Sequence, residues 1–140
     1  MDSIETQDIS NTSKGIVLMV DDDKFLADMY SMKFTQAGYT VYSYLAVEDA
    51  LKALRNGLEP QAVLFDLVMP GCDGLSFLTS LHNEHLASNA VKIALTNQSS
   101  DGEKEQTRAL GADEFLIKAM VLPSEVVNIV SEGMRKHHNA

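Results

Sequence analysis

The chain has 140 residues, 45% hydrophobic and 22% charged, a composition that suits one globular domain built around a single core. A net charge of -9 and an isoelectric point near 4.7 argue against a nucleic-acid groove lined by lysine and arginine. The lone cysteine, Cys72, rules out an internal disulfide, and no stretch has the form of a secretion signal or the length of a membrane span, so a cytoplasmic protein without membrane contact is expected.

Residues 1–15 are polar and aperiodic and read as a mobile leader. Ile16-Val-Leu-Met-Val20 is an apolar, β-branched run that stops on Asp21-Asp22-Asp23, a buried strand meeting a cluster of acids. From Lys24 the spacing of Leu26, Met29, Tyr30, Lys33, Phe34 and Ala37 predicts a helix that Gly38 ends, with its stripe turned to the core. Tyr39 to Tyr44 mixes β-branched and aromatic residues, as an edge strand does. A short helix over Val47 to Leu54 closes at Asn56-Gly57, and Ala62-Val-Leu-Phe65 leads to Asp66. After Asp66, Pro70, Gly71 and Gly74 mark a loop able to fold closely round that acid.

Leu75, Phe77, Leu78 and Leu81 predict a third helix, Val91 to Leu95 a fourth strand ending at Thr96-Asn97, and Glu103 to Leu110 a polar helix closed by Gly111. Glu114 to Lys118 reads as a fifth strand, and Pro123 opens a last amphipathic helix ending near residue 136, with 137–140 as a tail. Strand and helix thus alternate five times with connections too long for hairpins, which implies a doubly wound α/β fold with a five-stranded parallel sheet and five helices.

In such sheets, ligands bind at the carboxyl ends of strands. Those ends carry Asp21 and Asp22, Asp66, Thr96 and Lys118. Crowded carboxylates repel unless a hard divalent cation sits among them, and magnesium fits a carboxylate pair, Asp66 and a backbone carbonyl just beyond it. Such an ion neutralises phosphoryl oxygens, a lysine ammonium and a threonine hydroxyl hold the others, and the remaining nucleophile is a carboxylate. Binding of a flavin phosphate would want a hydroxyl- and glycine-rich loop where this chain has three acids. A phosphatase of the haloacid-dehalogenase type wants a second aspartate where this chain has Val68. His82 and His85 share a helical spacing but lack further converging ligands, His137 and His138 read as tail, and Cys72 has no basic neighbour to activate it.

The Val20-Asp21-Asp22 pair, the Asp66-x-x-Met69-Pro70-Gly71-x-Asp73-Gly74 loop, Thr96 after a strand, and Phe115-Leu-Ile-Lys118 after Gly111-Ala112-Asp113 together resemble the receiver domain of two-component response regulators, over residues 16–136. The resemblance implies a flavodoxin-like sheet of order 2-1-3-4-5. It further implies that Asp66 accepts a phosphoryl group from a histidine kinase or phosphotransfer protein, and that the chain is a switch, not an enzyme. Magnesium would be held by Asp22, Asp66 and the Val68 carbonyl, with Asp21 acting through a water. Lys118 would pair with the phosphoryl group, Thr96 would swing toward it, and Phe115 would turn inward and alter a partner face built by the fourth helix, fifth strand and last helix. Asn97 and Val68 would flank the water of slow self-hydrolysis. A receiver-fold module that binds partners regardless of phosphate, or the receiver part of a larger transcription regulator, would share these residues.

The chain departs from the family pattern after Lys118, where Ala119 replaces the usual proline. A cis bond without proline costs about 2.5–4 kcal/mol, so a trans peptide and a remodelled loop are expected. Leu122 occupies a position suited to a capping side chain, so the last helix is expected to start without a cap.

Overall fold

The computed structural model describes residues 13–69, 74–97 and 101–139. Five parallel strands, β1 (Ile16–Val20), β2 (Thr40–Tyr44), β3 (Ala62–Phe65), β4 (Val91–Thr96) and β5 (Glu114–Ile117), form one sheet in the order β2-β1-β3-β4-β5. They alternate with helices α1 (Lys24–Gln36), α2 (Val47–Arg55), α3 (Gly74–Asn83), α4 (Asp101–Ala109) and α5 (Pro123–Asn139). None of the described helices is long and apolar enough to cross a membrane.

Side chains of a strand alternate between faces, and here both faces are covered. Leu18, Val20, Val63, Phe65 and Ala94 point to one layer, where they meet Val47, Ala50, Leu51 and Leu54 of α2 and Phe77, Leu78 and Leu81 of α3. Val17, Met19, Ala62, Leu64, Ile93 and Leu95 point to the other, against Ala27, Tyr30 and Phe34 of α1 and Val126 and Val130 of α5. This double burial is why β1 and β3 are unbroken apolar runs. Each fully buried Phe, Leu or Ile contributes roughly 1.5–3 kcal/mol of transfer free energy. The outer strand β2 is largely exposed, as its mixed composition predicts.

Several local features differ from the expectations above. Residues 13–15, expected as the end of the leader, are tied to the fold: Lys14 N–H donates to Gly38 O at 2.9 Å, and the Ser13 and Thr40 hydroxyls are 2.8 Å apart. Residues 1–12, and the loop segment 70–73 with Cys72, lie outside the described residues. At the other end, α5 runs to Asn139, so residues 137–139 continue the helix and are not a tail. His85 does not share a helix face with His82, because α3 ends at Asn83 and His85 takes a left-handed φ of 56°. Lys118 is not a strand residue either, since it opens a 3₁₀ turn over Lys118–Met120. The Lys118–Ala119 peptide is trans, as no cis bond occurs among the described residues.

Candidate functional site

The site is assembled by backbone pairing carried one residue beyond the strands. Asp21 N–H donates to Tyr44 O at 3.1 Å and Asp66 N–H donates to Val20 O at 3.0 Å, so both acids are held by the sheet. Their carboxylates are 4% and 7% exposed by residue and stand with exposed Asp22 in a cluster whose oxygens lie within 4.8 Å of one another.

Lys118 supplies the countercharge. Its Nζ donates to Asp21 Oδ2 at 2.7 Å and to Asp66 Oδ2 at 2.8 Å, and its side chain is only 6% exposed. The second oxygen of each acid is also engaged: Asp23 N–H donates to Asp21 Oδ1 at 2.9 Å, and Val68 N–H donates to Asp66 Oδ1 at 3.0 Å. Asp23 plays a further part that its place among three consecutive acids concealed. Its own carboxylate caps α1 by accepting from Leu26 N–H at 3.2 Å, which fixes where the helix leaves the pocket.

Beyond Asp66, Leu67 and Met69 are buried in the α2/α3 layer while Val68 between them is 50% exposed at the pocket mouth. The chain then returns at Gly74, whose N–H donates to Leu67 O at 3.0 Å. A Cβ at Gly74 would stand 2.6 Å from the Asp66 carbonyl oxygen and 2.8 Å from Leu67 Cα, closer than real contacts allow. The absent side chain is what lets the start of α3 approach the acid. Phe65, next to Asp66, packs edge-on against Phe77 of α3 with ring centroids 5.8 Å apart.

Thr96 ends β4 fully buried, in register with Ile117, the residue before Lys118. Phe115 pairs with Ala94 and is half-buried against the α2/α3 layer, so it lies back from the pocket along β5. The loop after the 3₁₀ turn is closed by Glu125, whose Oε1 accepts from Leu122 N–H at 2.7 Å. The expected uncapped start of the last helix is therefore corrected: the cap comes from three residues downstream instead of from Leu122.

Burial pushes Asp21 above the ordinary carboxylate value of 3.8, only partly offset by Lys118 and the Asp23 amide and reinforced by the charge of Asp66. Burial alone would lower Lys118, but its hydrogen bonds and charge interactions with Asp21 and Asp66 outweigh that and raise it above 10.5. A lysine shared by two acids keeps its proton, and the upward shift of Asp21 reflects chiefly the cost of burying a carboxylate, which the ammonium and the Asp23 amide only partly offset. Three carboxylates and one ammonium leave a residual charge of -3 + 1 = -2 on an all-oxygen donor set, which suits a hard divalent cation.

A family model described as the response regulator receiver domain matches residues 17–131. The regulatory protein VanR of Enterococcus faecium is 26% identical over 121 residues, which are 86% of this chain and 50% of VanR, so the chain spans about half the length of that curated relative. The receiver domain of the Francisella response regulator 1452 superposes with a TM-score of 0.78 at 27% identity, covering 88% of this chain and 98% of that one. A receiver domain protein from Methanospirillum hungatei shares the fold, with a TM-score of 0.81 at 23% identity over 89% of this chain and 96% of its own.

Proposed function

The chain belongs to the response regulator receiver domain family of two-component signalling, and on that premise we propose that Asp66 is its phosphoacceptor. The observation that carries the reading is Lys118 bridging Asp66 and Asp21 inside a buried acidic cluster. An Asp66 oxygen forms the bond to phosphorus while the bond from phosphorus to the donor nitrogen breaks, its electron pair leaving with the donor. Lys118 then pairs with the transferred group, and Thr96, at the end of the adjacent strand, supplies a hydroxyl to it.

Asp21, Asp22, Asp66 and the Val68 carbonyl are the groups that would hold magnesium, with Asp21 acting through a water. A bound magnesium ion supplies positive charge to the phosphoryl oxygens during transfer. The residual charge left after Lys118 is counted supports a divalent ion at this cluster. Asn97 and Val68 flank the water that slowly hydrolyses the aspartyl phosphate, and no turnover of an external substrate is assigned.

The donor is a histidine kinase or phosphotransfer protein. Phe25, Leu45, Val68, Met120 and Leu122 are exposed apolar residues in the segments that leave the carboxyl ends of β1, β2, β3 and β5. An apolar rim round a charged pocket supports a protein donor docking there. Downstream, movement of Thr96 and Phe115 changes the face formed by α4, β5 and α5, which a second protein reads in the cytoplasm. Incubation with acetyl phosphate and magnesium is expected to add one hydroxylamine-sensitive phosphate, lost in Asp66→Asn. Labelling that survives this substitution would overturn the assignment.

A further inference from the structure

β2 is the outer strand of the sheet, and its open edge has none of the devices that keep such edges apart. Thr40 N–H donates to Gly15 O and Tyr44 O accepts from Asp21 N–H, so Thr40, Tyr42 and Tyr44 direct their backbone groups at β1. Val41 and Ser43 between them direct their N–H and C=O groups away from the sheet, and no described residue bonds to those groups. An open edge is ordinarily guarded by a charge, a proline or a bulge. Here the register of β2 on β1 is unbroken over Thr40–Tyr44, and the chain has neither a charged residue nor a proline between Lys33 and Glu48. In a protein with a net charge of -9 and 22% charged residues, so long a neutral stretch is an exception. Tyr42, in the middle of the strand, is 40% exposed, and Leu45 just beyond its end is 45% exposed.

The charges at the two ends of this edge say what fits it. Beside its start stand Lys33, in the last turn of α1, and Lys14, whose N–H donates to Gly38 O. Just past its finish stand Glu48 and Asp49, in the first turn of α2. All four are exposed, and none is ion-paired with a described residue. A strand with cations at one end and acids at the other is complementary to itself when a second copy runs antiparallel, because each basic end then meets an acidic one. A parallel copy would set like charges together. With Tyr42 opposite its own counterpart, Val41 faces Ser43 of the second copy, and each such pair exchanges two N–H···O bonds about a two-fold axis. The two tyrosine rings are then neighbours across the seam, a pairing that stabilises antiparallel strands. We propose that two copies of this chain associate through β2, edge to edge and antiparallel, so that the sheet continues from one copy into the other. The association does not depend on the phosphoacceptor reading of Asp66, and the seam lies at the opposite edge of the sheet from β5.

The test is sedimentation equilibrium of the full chain without magnesium or a phosphoryl donor. A monomer–dimer equilibrium is expected, with a dissociation constant on the order of 10–100 μM, as befits a small interface. Ser43→Pro removes an outward N–H and no bond to β1, and Tyr42→Lys sets two like charges face to face at the seam. Each is expected to weaken the dimer about tenfold or more. Circular dichroism like that of wild type shows that a variant keeps its fold, and one folded variant suffices because the two act differently. A wild type that stays monomeric at concentrations on the order of 1 mM, or a dimer that a folded variant leaves unchanged, overturns the proposal. Amide exchange of the wild type decides even if neither variant folds. Exchange at Val41 and Ser43 that slows as concentration rises supports the seam. Protection of both amides that is the same at every concentration means that the edge is covered within a single chain, and overturns it.

Discussion

Lys118 Nζ lies 2.8 Å from Asp66 Oδ2, joining a turn after the last strand to the end of the central one. Both side chains are buried, at 6% and 9% exposure, so removing the cation leaves acids without compensation. Lys118→Met is expected to cost about 3–5 kcal/mol of stability when no divalent ion is present. Added magnesium is expected to restore part of that loss, and urea unfolding with and without the ion measures both effects.

The same bond sets an alkaline limit. Lys118 titrates above its ordinary 10.5 in the folded protein because the two acids outweigh its burial, so the folded state holds that proton more tightly than the unfolded chain. Its contribution is complete below 10.5 and declines as pH climbs through the higher folded value. A series of unfolding midpoints taken upward from below that point should show the decline in wild type, and the slope should be reduced in Lys118→Met.

Gly74→Ala tests the close approach under Asp66. The added methyl would meet the Asp66 carbonyl oxygen at 2.6 Å, and the neighbours are backbone, which yields poorly. A loss of about 1–3 kcal/mol is expected, together with slower labelling by acetyl phosphate as Asp66 is displaced. Gly102→Ala is the control: in α4 a Cβ meets nothing within 4 Å, and a gain of about 0.5–1 kcal/mol is expected from helix propensity.

Glu125→Ala removes the acceptor of Leu122 N–H. Leu122 is 64% exposed, so water takes over part of that bond, and the cost is expected to be at most about 1 kcal/mol. Its signature is local: faster amide exchange in the first turn of α5, with the rest of the protein unchanged.

Much of the fold is legible because burial on both faces writes itself as an unbroken apolar run, as at Ile16–Val20 and Ala62–Phe65. The site acids are legible for a related reason, since a carboxylate that ends such a run stands at the sheet's edge. Three things are not legible, and each depends on contacts distant in sequence or on local competition. Asp23 is one of three adjacent acids, and its capping of Leu26 depends on where the helix starts. Lys118 follows directly on the apolar run of β5, but Thr96, the last residue of β4, is already paired with Ile117, so the lysine begins the turn instead of extending the strand. The end of α5 at Asn139 is hidden because polar His137 resembles a tail in sequence although the helix continues through it.

The acids and the lysine are mounted differently. Asp21 and Asp66 are fastened through their amides to the carbonyls of Tyr44 and Val20, so they move only when the sheet opens. Lys118 opens a three-residue turn whose other members, Ala119 and Met120, are exposed, after an edge strand of four residues. Motions of such turns run on nanosecond to microsecond scales, far faster than opening of a sheet. On the phosphoacceptor proposal, the acids and the lysine arm are thus clocked separately. Substitutions at Ala119 to Val121 are the ones that would retime the response while leaving the acids where they stand.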